Sequence, residues 1–226
     1  GSFIHGFKEA YDGTIEEGDL FLTTDPYACN GAISHINDWL LLRPIFKDGR
    51  LIAYAAMFGH MTDVGGKVPG SLPTDAREIF EEGIRVPPLK IFKNDELQTD
   101  VLNLILHNSR MPTWNRSDFN ALVAAMRTAE KRVIEMAERF GDDEYYSALD
   151  ELLARNKRAM ARLIKDTVPT KKQHFEDYIC DDGLGMGPYR IKCSMWRDKD
   201  KVIFDFDGTD PQSISSINFY LNEEMF

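Results

Sequence analysis

Two of the five histidines sit in one local pattern, His35-Ile36-Asn37-Asp38 and His60-Met61-Thr62-Asp63. Imidazole nitrogens and carboxylate oxygens are donors that a divalent ion takes while keeping a position open for solvent, and two imidazoles with one carboxylate form a recurrent set. An ion held this way can activate a water or polarise a carbonyl. Each pattern can equally be a hydrogen-bonding corner at a strand end, and a shared metal requires that the two patterns meet. Asp63 enters either as a further ligand or as the group that orients an imidazole through its other ring nitrogen.

The segment between the patterns supplies the meeting. Trp39 to Phe46 and Leu51 to Phe58 are near-continuous apolar runs separated by Lys47-Asp48-Gly49-Arg50, and an Asp-Gly pair between apolar runs signals a hairpin. A two-residue turn at Asp48-Gly49 sets His60 opposite Asn37 and beside Asp38. A three-residue turn with a glycine bulge shifts the register by one and sets Asp38 and His60 on one face. Both registers bring the patterns to the open end of one hairpin, where opposed Cβ atoms stand roughly 4.5–5.5 Å apart.

Other candidates carry less. Gly65-Gly66-Lys67-Val68-Pro69-Gly70 can present backbone N–H groups to an anion, but it lacks the P-loop spacing and reads first as an irregular turn beside the site. Asp25, before Pro26, is a turn residue or faces the site. His107 falls on a helix among polar neighbours, and His174 starts a strand. No G-x-S-x-G occurs and no cysteine has a catalytic context, so a covalent nucleophile is not indicated.

Three textures carry these residues. Residues 1–94 read as a β-rich region of short apolar runs broken by Gly and Pro, and Leu20 to Thr24 is a strand that stops at Asp25-Pro26. Residues 95–168 switch to helical period, with apolar stripes through Leu97 to Ile105, Leu122 to Phe140 and Leu149 to Ile164. Gly141 fits a helix end. The stripes read as packed core rather than coiled coil, since no heptad register is sustained. Residues 169–226 return to period two and predict three antiparallel strands. The fold class is therefore α+β, with the three regions as parts of one larger subunit.

Composition excludes several roles. The formal net charge of −10 disfavours a nucleic-acid surface, which needs clustered cations. No apolar run reaches the roughly 18 residues of a membrane span, and the first residues show neither a charged nor an apolar leader segment. Three cysteines without a C-x-x-C pair argue against a disulfide framework or zinc ribbon. A reduced, cytoplasmic setting is expected.

Gly18-Asp19-Leu20-Phe21-Leu22-Thr23-Thr24-Asp25-Pro26-Tyr27, Ser34-His35-Ile36-Asn37-Asp38 and Gly59-His60-Met61-Thr62-Asp63-Val64-Gly65-Gly66 follow one another in order. Pro69 to Pro73, Phe80 to Pro88 and Asp207-Gly208-Thr209-Asp210-Pro211 continue the series. The ordered set resembles the hydantoinase B/oxoprolinase family, whose chains are much longer, so this chain is similar to an internal or N-terminal-proximal portion. The resemblance implies a metal (zinc, manganese or iron) on His35, Asp38 and His60, with a further acidic ligand from a segment ahead of the match. It also implies a hetero-oligomer with an ATP-binding, hydantoinase A-type partner that holds ATP and Mg, and a small-molecule substrate. The activities implied are ATP-dependent opening of cyclic amides or ATP-dependent carboxylation of ketones; a non-catalytic assembly module is the reading from a different class. Two departures stand out: Asn37 replaces the family's usual proline, and Met61 replaces the second of two paired histidines.

Overall fold

The turn at Asp48-Gly49 organises the N-terminal sheet. Both residues take positive φ, 52° and 71°, as a type I′ turn requires, and its twist matches that of the flanking strands. The computed structural model describes residues 2–218, and in it the turn joins β2 (Asp38–Lys47) to β3 (Arg50–His60). Pairing starts as a two-residue loop dictates, with Lys47 opposite Arg50 and Phe46 opposite Leu51. The next pair is Ile45 with Ala53, so Ile52 is an extra residue on β3. A bulge of this kind moves the rest of the strand by one position. From there the shifted register holds to the open end, where Asp38 lies opposite His60. The turn is thus the shorter of the two expected forms, and a bulge farther along the strand makes the shift.

With β1 (Leu20–Thr23), β4 (Leu89–Lys93) and β5 (Glu96–Leu97), the hairpin forms a five-stranded antiparallel sheet of order β3-β2-β1-β4-β5. β2 is buried over its first eight residues because both faces of the sheet are covered there. On one face α1 (Ser2–Tyr11), a helix the sequence reading did not anticipate, sets Phe7 and Tyr11 against Phe21 with ring centroids 5.8 and 4.9 Å apart. Cys29, Ile33, Leu40 and Leu42 complete that cluster. On the other face Trp39 and Phe92 meet Phe119 of α3 (Pro112–Phe140). Arg43 points the same way as Trp39, since side chains alternate along a strand. It is buried, and its guanidinium donates to Glu130 at 2.8 Å and Asp95 at 2.9 Å. Gly59 is hemmed in by α3: a Cβ there would stand 3.0 Å from Leu122. β3 is an edge strand and is less covered, with Met57 and Phe58 exposed. Coverage of both faces is therefore a property of β2 and not of β3.

Contacts divide the chain into two compact units, one reaching Glu135 and the other spanning Met136–Ile217. The first also contains α2 (Thr99–His107). The second holds the last turn of α3, then α4 (Asp142–Thr167) after Gly141 in positive φ, as expected of a helix C-terminus. It also holds the predicted three-stranded antiparallel sheet of β6 (Gln173–Ile179), β7 (Tyr189–Asp198) and β8 (Lys201–Asp205). The α4 stripe departs from expectation. Leu149, Leu152, Leu153, Met160 and Leu163 are exposed rather than core, because from Tyr146 to Thr167 only Ala154 and Ile164 are even half-covered. The last eight residues of the expected C-terminal β region lie outside the described residues.

Candidate metal centre

The loop after β1 delivers the first histidine. Asp25 opens it by accepting the N–H groups of Tyr27 and Ala28 at 3.0 and 3.3 Å, a turn role that settles the two alternatives for this residue. Cys29 and Ile33 then anchor the loop in the core, and His35 follows, one turn ahead of Asp38. β3 supplies His60 from across the pair. Because Ile52 bulges, Asp38 and His60 project from the same face of the sheet, that of Leu40 and Leu42.

Three donor atoms converge. His35 Nε2 is 3.1 Å from Asp38 Oδ1, His60 Nδ1 is 3.2 Å from the same oxygen, and the two ring nitrogens are 3.3 Å apart. The imidazoles lean together at a 33° interplanar angle with centroids 4.9 Å apart. Asp38 is buried, while the His60 side chain is about half exposed, so the cluster opens to solvent on the β3 side. Ligands held at about 2.0–2.2 Å around a tetrahedral ion stand roughly 3.3–3.6 Å from one another. The observed triangle is only slightly tighter, and its donor set is one a borderline divalent cation accepts. The residues fit such an ion.

Charge favours the same use. Burial works to raise the Asp38 carboxyl, but its bonds to His35 and His60 outweigh burial and hold it below the usual carboxylate range. The bond to Asp38 is also the main reason the His35 imidazole is pushed up. Glu82, which the sequence reading passed over, acts on His35 through space and is itself pushed up by burial. Its only advance signal was its place in the Phe80-to-Pro88 motif.

Asp63 stands apart from this triangle. Its Oδ1 accepts the N–H groups of Gly65 at 3.0 Å and Arg110 at 2.9 Å; its Oδ2 accepts Gly70 N–H and the Arg110 guanidinium, each at 3.0 Å. Burial would raise this carboxyl, and those four donors reverse the shift and hold it at about 2. The glycine-rich loop thus presents N–H groups to an anion that is the chain's own Asp63. Arg110 closes the loop further by donating to the carbonyls of Gly65, Val68 and Gly66. Lys67 is committed to Asp75 and Glu81. Asn37 ties this loop to the site: its Nδ2 donates to Met61 O at 3.2 Å and Gly70 O at 3.3 Å. Met61 is fully buried, so the apolar side chain at that position packs inward. Arg110 was not singled out in the sequence, and Asn37 was noted there only as a departure from the family pattern. His107 ends α2, and His174, in the second unit, pairs with Ser194 at 3.0 Å; neither belongs to the triangle.

The model of the hydantoinase B/oxoprolinase family matches residues 1–225. The chain belongs to that family. The beta subunit of caprolactamase from Pseudomonas jessenii is 36% identical over 177 residues, covering 78% of this chain and 30% of the relative. The delta subunit of acetophenone carboxylase from Aromatoleum aromaticum is 30% identical, covering 93% and 30%. Among solved structures, the ATP-dependent caprolactamase of Pseudomonas jessenii superposes with a TM-score of 0.86 at 32% identity over 97% of this chain and 38% of that one. Acetone carboxylase gives 0.80 at 21% identity over 92% and 28%, a likeness of fold. The chain spans about a third of the length of these two curated relatives, each a subunit by name. Among the described residues no helix is long and apolar enough to cross a membrane.

Proposed function

We propose that this chain carries the metal site of a catalytic subunit in an ATP-dependent cyclic-amide hydrolase that works with an ATP-binding, hydantoinase A-type partner holding ATP and Mg. The observation behind the proposal is the triangle of His35 Nε2, Asp38 Oδ1 and His60 Nδ1, each within 3.3 Å of the others, on a hairpin bulged to make it. A divalent zinc, manganese or iron ion bound there supplies Lewis acidity toward a carbonyl and its attacking water. The chain's own residues do the rest. Asp38 contributes the buried negative charge, His35 and His60 contribute neutral donors, and the Asp63–Arg110 loop fixes the backbone that follows His60. Asn37 couples that loop to the strand carrying Asp38. The half-open His60 side leaves room for a small-molecule substrate to approach.

The likeness to an ATP-dependent lactam-opening enzyme, at higher identity than to the carboxylases, favours the hydrolase reading. A subunit of an ATP-dependent ketone carboxylase is the second reading, favoured by the 30% identity to acetophenone carboxylase. The test is ATP turnover by the family-length protein with its partner subunit. Turnover is expected with lactams, hydantoins or 5-oxoproline, and a ketone with bicarbonate should not support it. His60→Ala should lower substrate-dependent turnover by at least a hundredfold; full activity in that variant contradicts the site assignment. Turnover confined to ketone with bicarbonate establishes the second reading. A family-length protein and partner that turn over neither class make this chain an assembly module.

A further inference from the structure

The α4 helix presents an apolar stripe to solvent over about 21 Å of its length, from Leu149 to Leu163. Leu149, Leu152, Leu153, Met160 and Leu163 are 38, 54, 69, 55 and 55% exposed and recur at the three- and four-residue spacing of one helical face. A contiguous stripe of large apolar side chains marks an interaction surface more often than a solvated one. Its charges say what covers it. Asp142, Asp143, Glu144, Asp150 and Glu151 fill the first half, which has no basic residue. Arg155, Lys157, Arg158, Arg162 and Lys165 fill the second, where Asp166 is the one acid. The helix is therefore its own electrostatic complement when turned end for end.

We infer that α4 is the self-association surface of this chain, pairing antiparallel with α4 of a second copy about a two-fold axis near its midpoint. The geometry follows from the sequence of the helix. Turning α4 about the midpoint of Asp142–Thr167 brings Leu149 of one copy beside Met160 of the other and Leu153 beside Asn156. The acidic half of each helix then lies along the basic half of its mate. A parallel pairing would set acid against acid and base against base, and juxtaposed like charges disfavour it. The contact is isologous, so it closes at two copies. Glu151 and Arg158 pair along a single helix on the side away from the stripe, and Asp150 and Lys157, which flank the stripe on one side at about 100° per residue, set the orientation between copies. The inference is independent of the metal site, which lies in the other unit.

The test is sedimentation equilibrium of the whole chain over a concentration series. The expected mass rises to twice 25.8 kDa, and Leu153→Asp and Met160→Asp each raise the dimer dissociation constant at least tenfold. Both positions are exposed, so circular dichroism of the variants should match the parent and exclude unfolding. Orientation is read by crosslinking in a Cys180→Ser background. A mixture of Leu149→Cys and Met160→Cys chains should form a disulfide-linked pair that neither variant forms alone. A monomer at every concentration overturns the inference and leaves the stripe to another subunit or a longer polypeptide. A dimer indifferent to both aspartates, or a crosslink formed by Leu149→Cys alone, overturns it as well.

Discussion

Asp63 shows how residue type and residue role come apart. Its H-x-x-D spacing is the same as that of Asp38, yet one carboxylate faces two imidazoles and the other faces three backbone N–H groups and a guanidinium. The difference was not legible because Arg110 lies 47 residues away and nothing in the His60 motif points to it. The triad itself was legible, since His35, Asp38 and His60 are a recognisable donor set and the hairpin signal said they would meet. The Asp63 network makes two predictions. Asp63→Asn keeps the shape but removes the charge and turns one acceptor into a donor facing N–H groups, so it should cost about 2 kcal/mol in denaturant unfolding at pH 7; an unchanged midpoint would contradict the clamp. The second concerns acid. The folded carboxyl titrates at about 2, below its usual unfolded value near 3.9. The unfolded chain then binds the proton more readily, so this stabilisation is fully present above about pH 4 and is lost as pH falls toward 2. Unfolding curves between pH 2.5 and 6 should show that loss in the parent and a shallower dependence in Asp63→Asn.

At the scale of elements, the hairpin was readable at its turn and unreadable along its length. Asp48-Gly49 announces a type I′ loop, because both positions need positive φ and glycine takes it without strain. The Ile52 bulge announces nothing. Isoleucine is an ordinary strand residue, and whether it pairs or bulges is decided by packing on both faces of β2, which no local pattern encodes. That one displaced residue is what sets Asp38 opposite His60. The α4 stripe was misjudged for a related reason: helical amphipathicity reports that a face will be covered and is silent about which chain covers it. Gly49→Ala isolates the turn from the site. No atom lies within 4 Å of a Cβ at Gly49, so the cost is conformational alone, about 1 kcal/mol. The expected result is a small drop in melting temperature with metal content unchanged; a loss of metal would mean that the turn, rather than the bulge, sets the register.

Across the whole molecule, an α+β chain of two compact units places its His35–Asp38–His60 cluster and its exposed apolar helix in different units. The first unit closes around the sheet that carries His35, Asp38 and His60, with α1 on one face and α3 on the other. The second leaves the Leu149-to-Leu163 stripe of α4 exposed among the described residues. The chain belongs to the hydantoinase B/oxoprolinase family and matches about 30% of the length of the caprolactamase and acetophenone carboxylase subunits. The claim on which the rest depends is that the His35–Asp38–His60 triangle holds an ion. Elemental analysis of the purified protein beside His35→Ala and His60→Ala tests it most directly. The account predicts close to one equivalent of zinc, manganese or iron per chain, lost in both variants while their circular dichroism is unchanged. Metal absent from the parent after incubation with each ion, or retained in full by both variants, would contradict it.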